Sequence, residues 1–595
     1  MHRIIPLFFA CLILLTALPA CRSQSQPADV EPATAAVSPE AVSSLPSAAA
    51  APLPTVVTAT PVPTETPAPT PSVTPTLRPS PTFTPPPLNA AITVDVRGPG
   101  QSFSPYLLGS NLPAWLKRET FENAAFRARV AAAGLTLIRI PGGSWGDELG
   151  WLSCEMGQDV PGAVPCQYPW AARPTDFINF FRGLADLGAH PEPMYIVNVN
   201  YTAQEAAALV AFFNADIGDP TVIGVDRNGV DWKTAGHWAA LRAEHGNPQP
   251  LRIHWWEIGN EIYGGRTGGK ACGANGWEAT WTCDGTEYIQ GIAGHDGFLQ
   301  MRAAMRAVDP AIQVGAVGGT EAVMGSRWSE AVIRAGVGQI DYFVLHTYPS
   351  YYDYRNPAKE YREILTLPQT LWPRLADSVN AAFQYYNEGQ TIPVVVNEYE
   401  IVPAYGRQDY RNYMNKHIDA LFIADSIGQM AQLGIHMAAQ WDIMNGKSDD
   451  FGNEFGLMRA DGTNDRQPKY WAFPLWSRFG TTLLPVKSSA RPESELSVYA
   501  GRLADGTITL MVINKTGAVA NVELTLDGAA QIVGGLADVL TAPSLDAPEA
   551  VFNGVANPAD DYSDAPSLPL EGTETNRLNY TFAPQSVTLL RLTAR

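Results

Sequence analysis

The chain has 595 residues, of which 46% are hydrophobic and 10% aromatic, with 15 Trp. That is too long for one ordinary domain, and it leaves rings to spare beyond a large core. Its 59 acidic against 40 basic side chains give a formal charge of -19, a field that repels phosphate backbones and excludes nucleic acid as a partner.

The first segment reads as an export signal. His2 and Arg3 precede an apolar run over residues 4–18 that is short for a bilayer span. It ends in Leu18-Pro19-Ala20-Cys21, which resembles the bacterial lipobox. The expectation is a lipoprotein signal peptide over 1–21, with Cys21 lipidated and the protein anchored by lipid at the bacterial cell surface; simple cleavage and secretion is the alternative. Residues 22–89 are dominated by Ala, Pro, Thr, Ser and Val with hardly a charge, a composition that cannot bury enough surface to fold and reads as a stalk. Outside the leader, Cys154, Cys166, Cys272 and Cys283 are even in number in a chain that leaves the cytoplasm, so two sequence-local disulfides are expected. Each closes a short loop worth about 3 kcal/mol in the chain-entropy model.

From residue 90 short apolar runs alternate with longer amphipathic stretches. Eight runs read as strands: 105–109, 135–140, 192–198, 252–258, 312–317, 342–346, 393–398 and 436–442. Helical patterns lie between them, for example over 203–214 and 298–308. This alternation predicts a (β/α)8 TIM barrel over 90–479, of the α/β class. After Phe479 the period changes to two, over 496–501, 508–514, 522–526 and 586–592, which predicts an antiparallel β-sandwich over 480–595, with residues 91–97 as a possible extra strand.

Barrel active sites lie at the C-terminal strand ends. There the sequence places Arg139 with Trp145 beyond it, Asn198, Asn260-Glu261, His346 with Tyr348, Asn397-Glu398, and Trp441. Two carboxylates on opposite sides of a barrel mouth suit glycosidic cleavage, one protonating the leaving oxygen and the other meeting positive charge at the anomeric carbon. Trp145 and Trp441 offer faces for sugar stacking. Asp147 and Glu148 are candidates for sugar hydroxyls, Glu257 for an inward-facing support, and Glu400 competes with Glu398. Neither a cofactor nor a metal is called for, since carboxylates alone can carry both steps.

The strand-end set, with Trp256-Glu257-Ile258-Gly259-Asn260-Glu261 at its centre, resembles the glycoside hydrolases of clan A. The resemblance implies Glu261 as acid/base, Glu398 as nucleophile, Asn260 at the sugar 2-hydroxyl, Tyr348 orienting the nucleophile and Arg139 keeping it ionised, with Glu261 held protonated. Arg139-Ile140-Pro141-Gly142-Gly143, Ala307-Val308-Asp309-Pro310 and the ending Gln585-Ser586-Val587-Thr588-Leu589-Leu590 resemble family 51, the α-L-arabinofuranosidases. That family has a Glu after strand one and an Asn after the Gly-Gly pair; here strand one offers no Glu and the second position is Ser144. The stretch over 104–111 resembles family 44, the endoglucanases and xyloglucanases. The expected partner is a carbohydrate. Arabinofuranosidase, endo-β-glucanase and a catalytically silent carbohydrate-binding lipoprotein all stay open, and oligomeric state is not encoded in these motifs. The insertion over 264–295, just after Glu261, is where specificity is expected to reside.

Overall fold

The computed structural model describes residues 85–595 except 268–269, 272–275, 321, 351–358, 404–408, 410 and 446–454. The expected signal peptide, Cys21, most of the stalk and Cys272 lie outside the described residues.

Eight parallel strands close into a barrel in chain order: Gly109–Asn111, Leu137–Ile140, Glu192–Val197, Trp255–Ile258, Gln313–Gly319, Tyr342–Thr347, Val394–Tyr399 and Met437–Gln440, the last pairing with the first. Strands sandwiched between helices and a barrel interior are buried on both faces, which is why they read as continuous apolar runs. The interior is filled by Leu137, Met194, Tyr342, Val344, Val395, Met437 and Ala439, so the lower barrel is a packed core and the polar residues are left to its mouth. Helices Ala203–Asn214 and Phe298–Val308 lie where the apolar periodicity puts them. The former starts at Thr202, whose side chain accepts from the Glu205 backbone N–H. Among the described residues no helix is long and apolar enough to cross a membrane.

The first barrel strand differs from expectation. Residues 105–107 form a 3-10 turn, and the strand follows at Gly109–Asn111. Pro105 has no N–H for a ladder, and Ser104 caps the turn by accepting from the Tyr106 backbone N–H, so the local signals favour a helical start.

The sandwich has two sheets. One runs Val486–Ser488, Leu88–Asp95, Ala520–Asp527, Arg577–Phe582. The other is built around Leu496–Arg502, Ile508–Asn514, Ser586–Ala594 and Ile532–Thr541. Leu88–Asp95 lies parallel to Ala520–Asp527, the exception to antiparallel pairing in that sheet. The boundary drawn from sequence therefore shifts: residues 88–89 are strand rather than stalk, and the chain passes through the sandwich before it enters the barrel. The extra sandwich strand expected over 91–97 is present and begins earlier, at Leu88, with Ile92 and Val94 alternating inward.

The helix His417–Gln432 is buried along nearly its whole length, because one face packs on the barrel and the other on the sandwich. Lys515 pairs with Asp425 of this helix at 2.7 Å, both buried, and the Tyr499 hydroxyl donates to the same carboxylate at 2.6 Å. The main hydrophobic core continues from barrel helices into Tyr499, Met511, Ile513, Val587 and Leu589.

Candidate active site

Beyond the fourth strand, Gly259 takes φ 81°, and a Cβ there would come within 2.3 Å of the Ile262 side chain. A left-handed turn at this point carries Asn260 and Glu261 over the mouth. Glu398 is the penultimate residue of the seventh strand opposite, and His346 the penultimate residue of the sixth, adjacent in register to Glu398.

Arg139, fully buried, organises the floor. Its Nη1 donates to Glu398 Oε1 at 2.7 Å and Asn111 Oδ1 at 3.0 Å. Its Nη2 donates to Asn260 Oδ1 at 2.7 Å and Glu257 Oε1 at 3.0 Å, and Nε reaches Glu257 Oε2 at 3.1 Å. The guanidinium fork thus grips Glu257 bidentately and presents charge to Glu398, a geometry no ammonium reproduces. Glu257, also bonded by Asn397 Nδ2, is the inward support the strand pattern suggested.

Glu398 Oε2 accepts from the Tyr348 hydroxyl at 2.8 Å. Glu261 Oε1 accepts from the Tyr263 hydroxyl at 2.7 Å and lies 2.8 Å from His346 Nδ1, while Oε2 accepts from the Trp277 indole N–H at 2.7 Å. His346 Nδ1 is 3.4 Å from Glu398 Oε2, so the imidazole sits between the two carboxylates. Glu261, His346 and Glu398 each present an atom within 4.8 Å of the others.

The protonation of Glu261 differs from expectation. Burial pushes its carboxyl up, but the hydrogen bond and charge of His346 and the Tyr263 and Trp277 donors outweigh this and hold it below the ordinary range. Burial pushes His346 down, yet the charge of Glu398 and the hydrogen bond and charge of Glu261 hold it above its ordinary value. Both shifts favour Glu261 as the anion in the unliganded site, with a proton on His346 Nδ1 shared across 2.8 Å.

A third carboxyl, missed in the sequence, stands beside this pair. Glu278, in the short strand Glu278–Ala279 of the insertion, is 1% exposed. Its Oε1 accepts from Ser144 Oγ and Asn260 Nδ2, both at 2.7 Å. Burial and the charges of Asp147 and Glu261 push it well above the usual carboxylate range. Its only advance signal is position: Trp277-Glu278 falls between Cys272 and Cys283.

Other sequence candidates serve support. Asp147 accepts backbone N–H groups from Val199 at 2.9 Å and Asn260 at 2.8 Å, and burial pushes it up to about 7; Glu148 accepts from the Tyr168 hydroxyl. Asn198, buried, donates to the Leu149 carbonyl and accepts from the Asn200 backbone, tying two loops together rather than facing the mouth. Glu400 is paired with Lys469 at 2.9 Å in a fully buried cluster that includes Asp419, away from Glu398's partners. Trp145 stacks on Tyr168, ring centroids 3.9 Å apart, so one of its faces is already covered; its edge meets Trp115 and Trp170. Trp441 is 8% exposed and leans on Trp115. Cys154 and Cys166 form a disulfide, and Cys283 is disulfide-bonded as well.

No family model matches the chain. It is 27% identical over 233 residues to an intracellular exo-α-(1→5)-L-arabinofuranosidase of Streptomyces lividans, a match covering 37% of this chain and 28% of that protein. It therefore spans well under half the length of that relative. Among solved structures it is similar to the α-L-arabinofuranosidase of Thermotoga maritima, with TM-score 0.61, 16% identity and coverage of 85% of this chain and 100% of that one. A family 51 α-L-arabinofuranosidase of Bifidobacterium longum gives TM-score 0.62 at 15% identity, with 85% and 99% coverage. A family 44 xyloglucanase of Paenibacillus polymyxa gives TM-score 0.52 at 14% identity, also with 85% and 99% coverage. The chain resembles clan A glycoside hydrolases of families 51 and 44 and shares their barrel-and-sandwich fold.

Proposed function

We propose that this protein is a retaining glycoside hydrolase with Glu398 as nucleophile and Glu261 as acid/base, acting on α-L-arabinofuranosyl linkages. The observation that carries the reading is the approach of Glu261 and Glu398 oxygens to within 4.8 Å across the barrel mouth. Retention needs carboxyls roughly 5 to 5.5 Å apart, whereas inversion needs room for a water between them. Arg139 and the Tyr348 hydroxyl each donate to one oxygen of Glu398 and orient its carboxylate. Glu398 attacks the anomeric carbon and forms a glycosyl ester while the leaving oxygen takes a proton from Glu261. Glu261 obtains that proton from His346 Nδ1 across 2.8 Å. In the second half-reaction Glu261 removes a proton from the attacking water, the sugar is released, and the cluster regains its proton.

The arabinofuranosyl preference draws on the Streptomyces lividans and Thermotoga maritima similarities. A second reading, an endo-acting β-glucanase or xyloglucanase, draws on Trp170 and Trp277, each 51% exposed, which suit a long glycan better than a single terminal sugar. An exported, lipid-anchored location rests on the leader-like first 21 residues, with the Cys154–Cys166 disulfide as support, since such bonds persist in oxidising compartments.

The test is product analysis on arabino-oligosaccharides, arabinan, arabinoxylan, xyloglucan and β-glucan, with the first-formed anomer read by proton NMR. Retained configuration is expected, with Glu398→Ala losing on the order of 10⁴- to 10⁶-fold in kcat. Inverted product sinks the mechanism. Glycan binding without turnover in the parent, in Glu261→Ala and in Glu398→Ala leaves only a binding protein.

A further inference from the structure

The insertion after the fourth strand does more than border the cleft. Trp277 donates its indole N–H to Glu261 Oε2 at 2.7 Å, yet the residue is 51% exposed. Its ring covers Gly264, where a Cβ would lie 2.2 Å from the indole, and its edge meets Tyr263 at 6.3 Å. A half-exposed aromatic ring hydrogen-bonded to the group that must protonate a leaving oxygen stands where the leaving group has to arrive. We propose that Trp277 is the positioning residue of Glu261 on the leaving-group side: its N–H holds Oε2 in the unliganded site, and the leaving-group sugar takes over Oε2 while stacking on the exposed ring. This rests on the assignment of Glu261 as acid/base.

The consequence concerns the proton. Glu261 is faced by Tyr263, His346, Trp277, Glu398, Glu278 and Tyr348. With Tyr263, His346 and Trp277 all donating, the anion is favoured and the shared proton stays on His346. Loss of the Trp277 donor as the leaving group binds moves that proton to Glu261 Oε1 and frees the carboxyl to turn about its Cγ–Cδ bond, which brings the protonated oxygen to the leaving oxygen. Atoms balance within the cluster, because the proton given to the leaving oxygen returns from the attacking water.

Two variants separate the donor from the ring. Trp277→Phe keeps an aromatic surface but removes the N–H. Losing a donor to the anion makes Glu261 more basic, so the alkaline limb of kcat/KM, which reports loss of the cluster proton, moves up by about half a pH unit or more. Trp277→Ala removes both, so kcat/KM on 1,5-α-L-arabino-oligosaccharides falls about three- to tenfold further than on α-L-arabinofuranosyl fluoride, whose leaving group needs neither stacking nor acid. An unmoved limb in Trp277→Phe, or equal losses on the two substrates in Trp277→Ala, overturns the inference. A parent that hydrolyses neither substrate overturns the arabinofuranosyl preference alone; the two variants are then compared on the glycan the parent does cleave, where an unmoved limb in Trp277→Phe overturns the inference.

Discussion

Around Arg139 and His346 stand the carboxyls of Asp147, Glu257, Glu261, Glu278 and Glu398, all within a few contacts of one another. One permanent cation and one imidazolium cannot balance every one of these as an anion, so some must keep their protons. Glu257 and Glu398 take Arg139, and Glu261 takes His346. Asp147 and Glu278 are bonded by neither, and burial pushes Asp147 up to about 7 and Glu278 well above the usual carboxylate range. The raised value of Glu278 means that unfolding lets it ionise, so it lowers stability progressively as pH rises above its unfolded value of about 4.5, up to its folded one. Gln has the shape of the protonated side chain and carries no such penalty. Glu278→Gln is therefore expected to raise Tm, and to raise it more at pH 8 than at pH 5, as measured by calorimetry on matched samples. An equal shift at both values would mean that Glu278 is ionised in the folded protein.

At the scale of elements, legibility followed burial. Barrel strands are apolar on both faces, the helix Phe298–Val308 buries Phe298, Met301 and Met305 at a 3.6 period, and Ala203–Asn214 is a run of Ala, Leu and Phe too long for a strand, so each is visible in a short window of sequence. Glu261, Glu398, Arg139, His346 and Tyr348 were legible for a related reason, since strand ends place them at one rim, and there the structure brings them together. The insertion had no such guide. Trp277 and Glu278 sit in a Gly- and Cys-rich stretch without periodicity, and they reach the site only because Gly265–Thr267 pairs with Glu278–Ala279. Gly264, immediately before that pairing, is the contact on which the indole rests. Gly264→Ala would press a methyl into the Trp277 ring, which can swing away because it is half exposed. The expected outcome is a Tm within about 2 °C of the parent, since surface rearrangements of this kind usually stay within ±0.5 kcal/mol, with the alkaline limb displaced upward as in Trp277→Phe. A limb unchanged in Gly264→Ala would show that the indole keeps its hold on Oε2 despite the methyl.

For the whole molecule, the path of the chain couples the two layers. The segment Leu88–Asp95 lies between Val486–Ser488 and Ala520–Asp527 in the sandwich before the barrel begins, so the barrel is inserted, in sequence, between two parts of one sandwich. Ile92 and Val94 are fully buried there, and together their burial contributes about 3 to 6 kcal/mol. A chain beginning at Phe103 loses these side chains and the inner strand of a four-stranded sheet, leaving two unpaired edges. Because Asp425 and Lys515 join the sandwich to the barrel helix His417–Gln432, and because the core runs on through Tyr499 and Leu589, the damage should not stay in the sandwich. Urea unfolding of the shortened chain should be at least about 3 kcal/mol weaker, with barrel tryptophan fluorescence and total circular dichroism lost in one transition. Lys515→Ala, which strands a buried carboxylate at Asp425, should weaken the same single transition by about 3 to 5 kcal/mol. Two separated transitions in either variant, with hydrolysis surviving the first, would show instead that the barrel and its site stand without the sandwich.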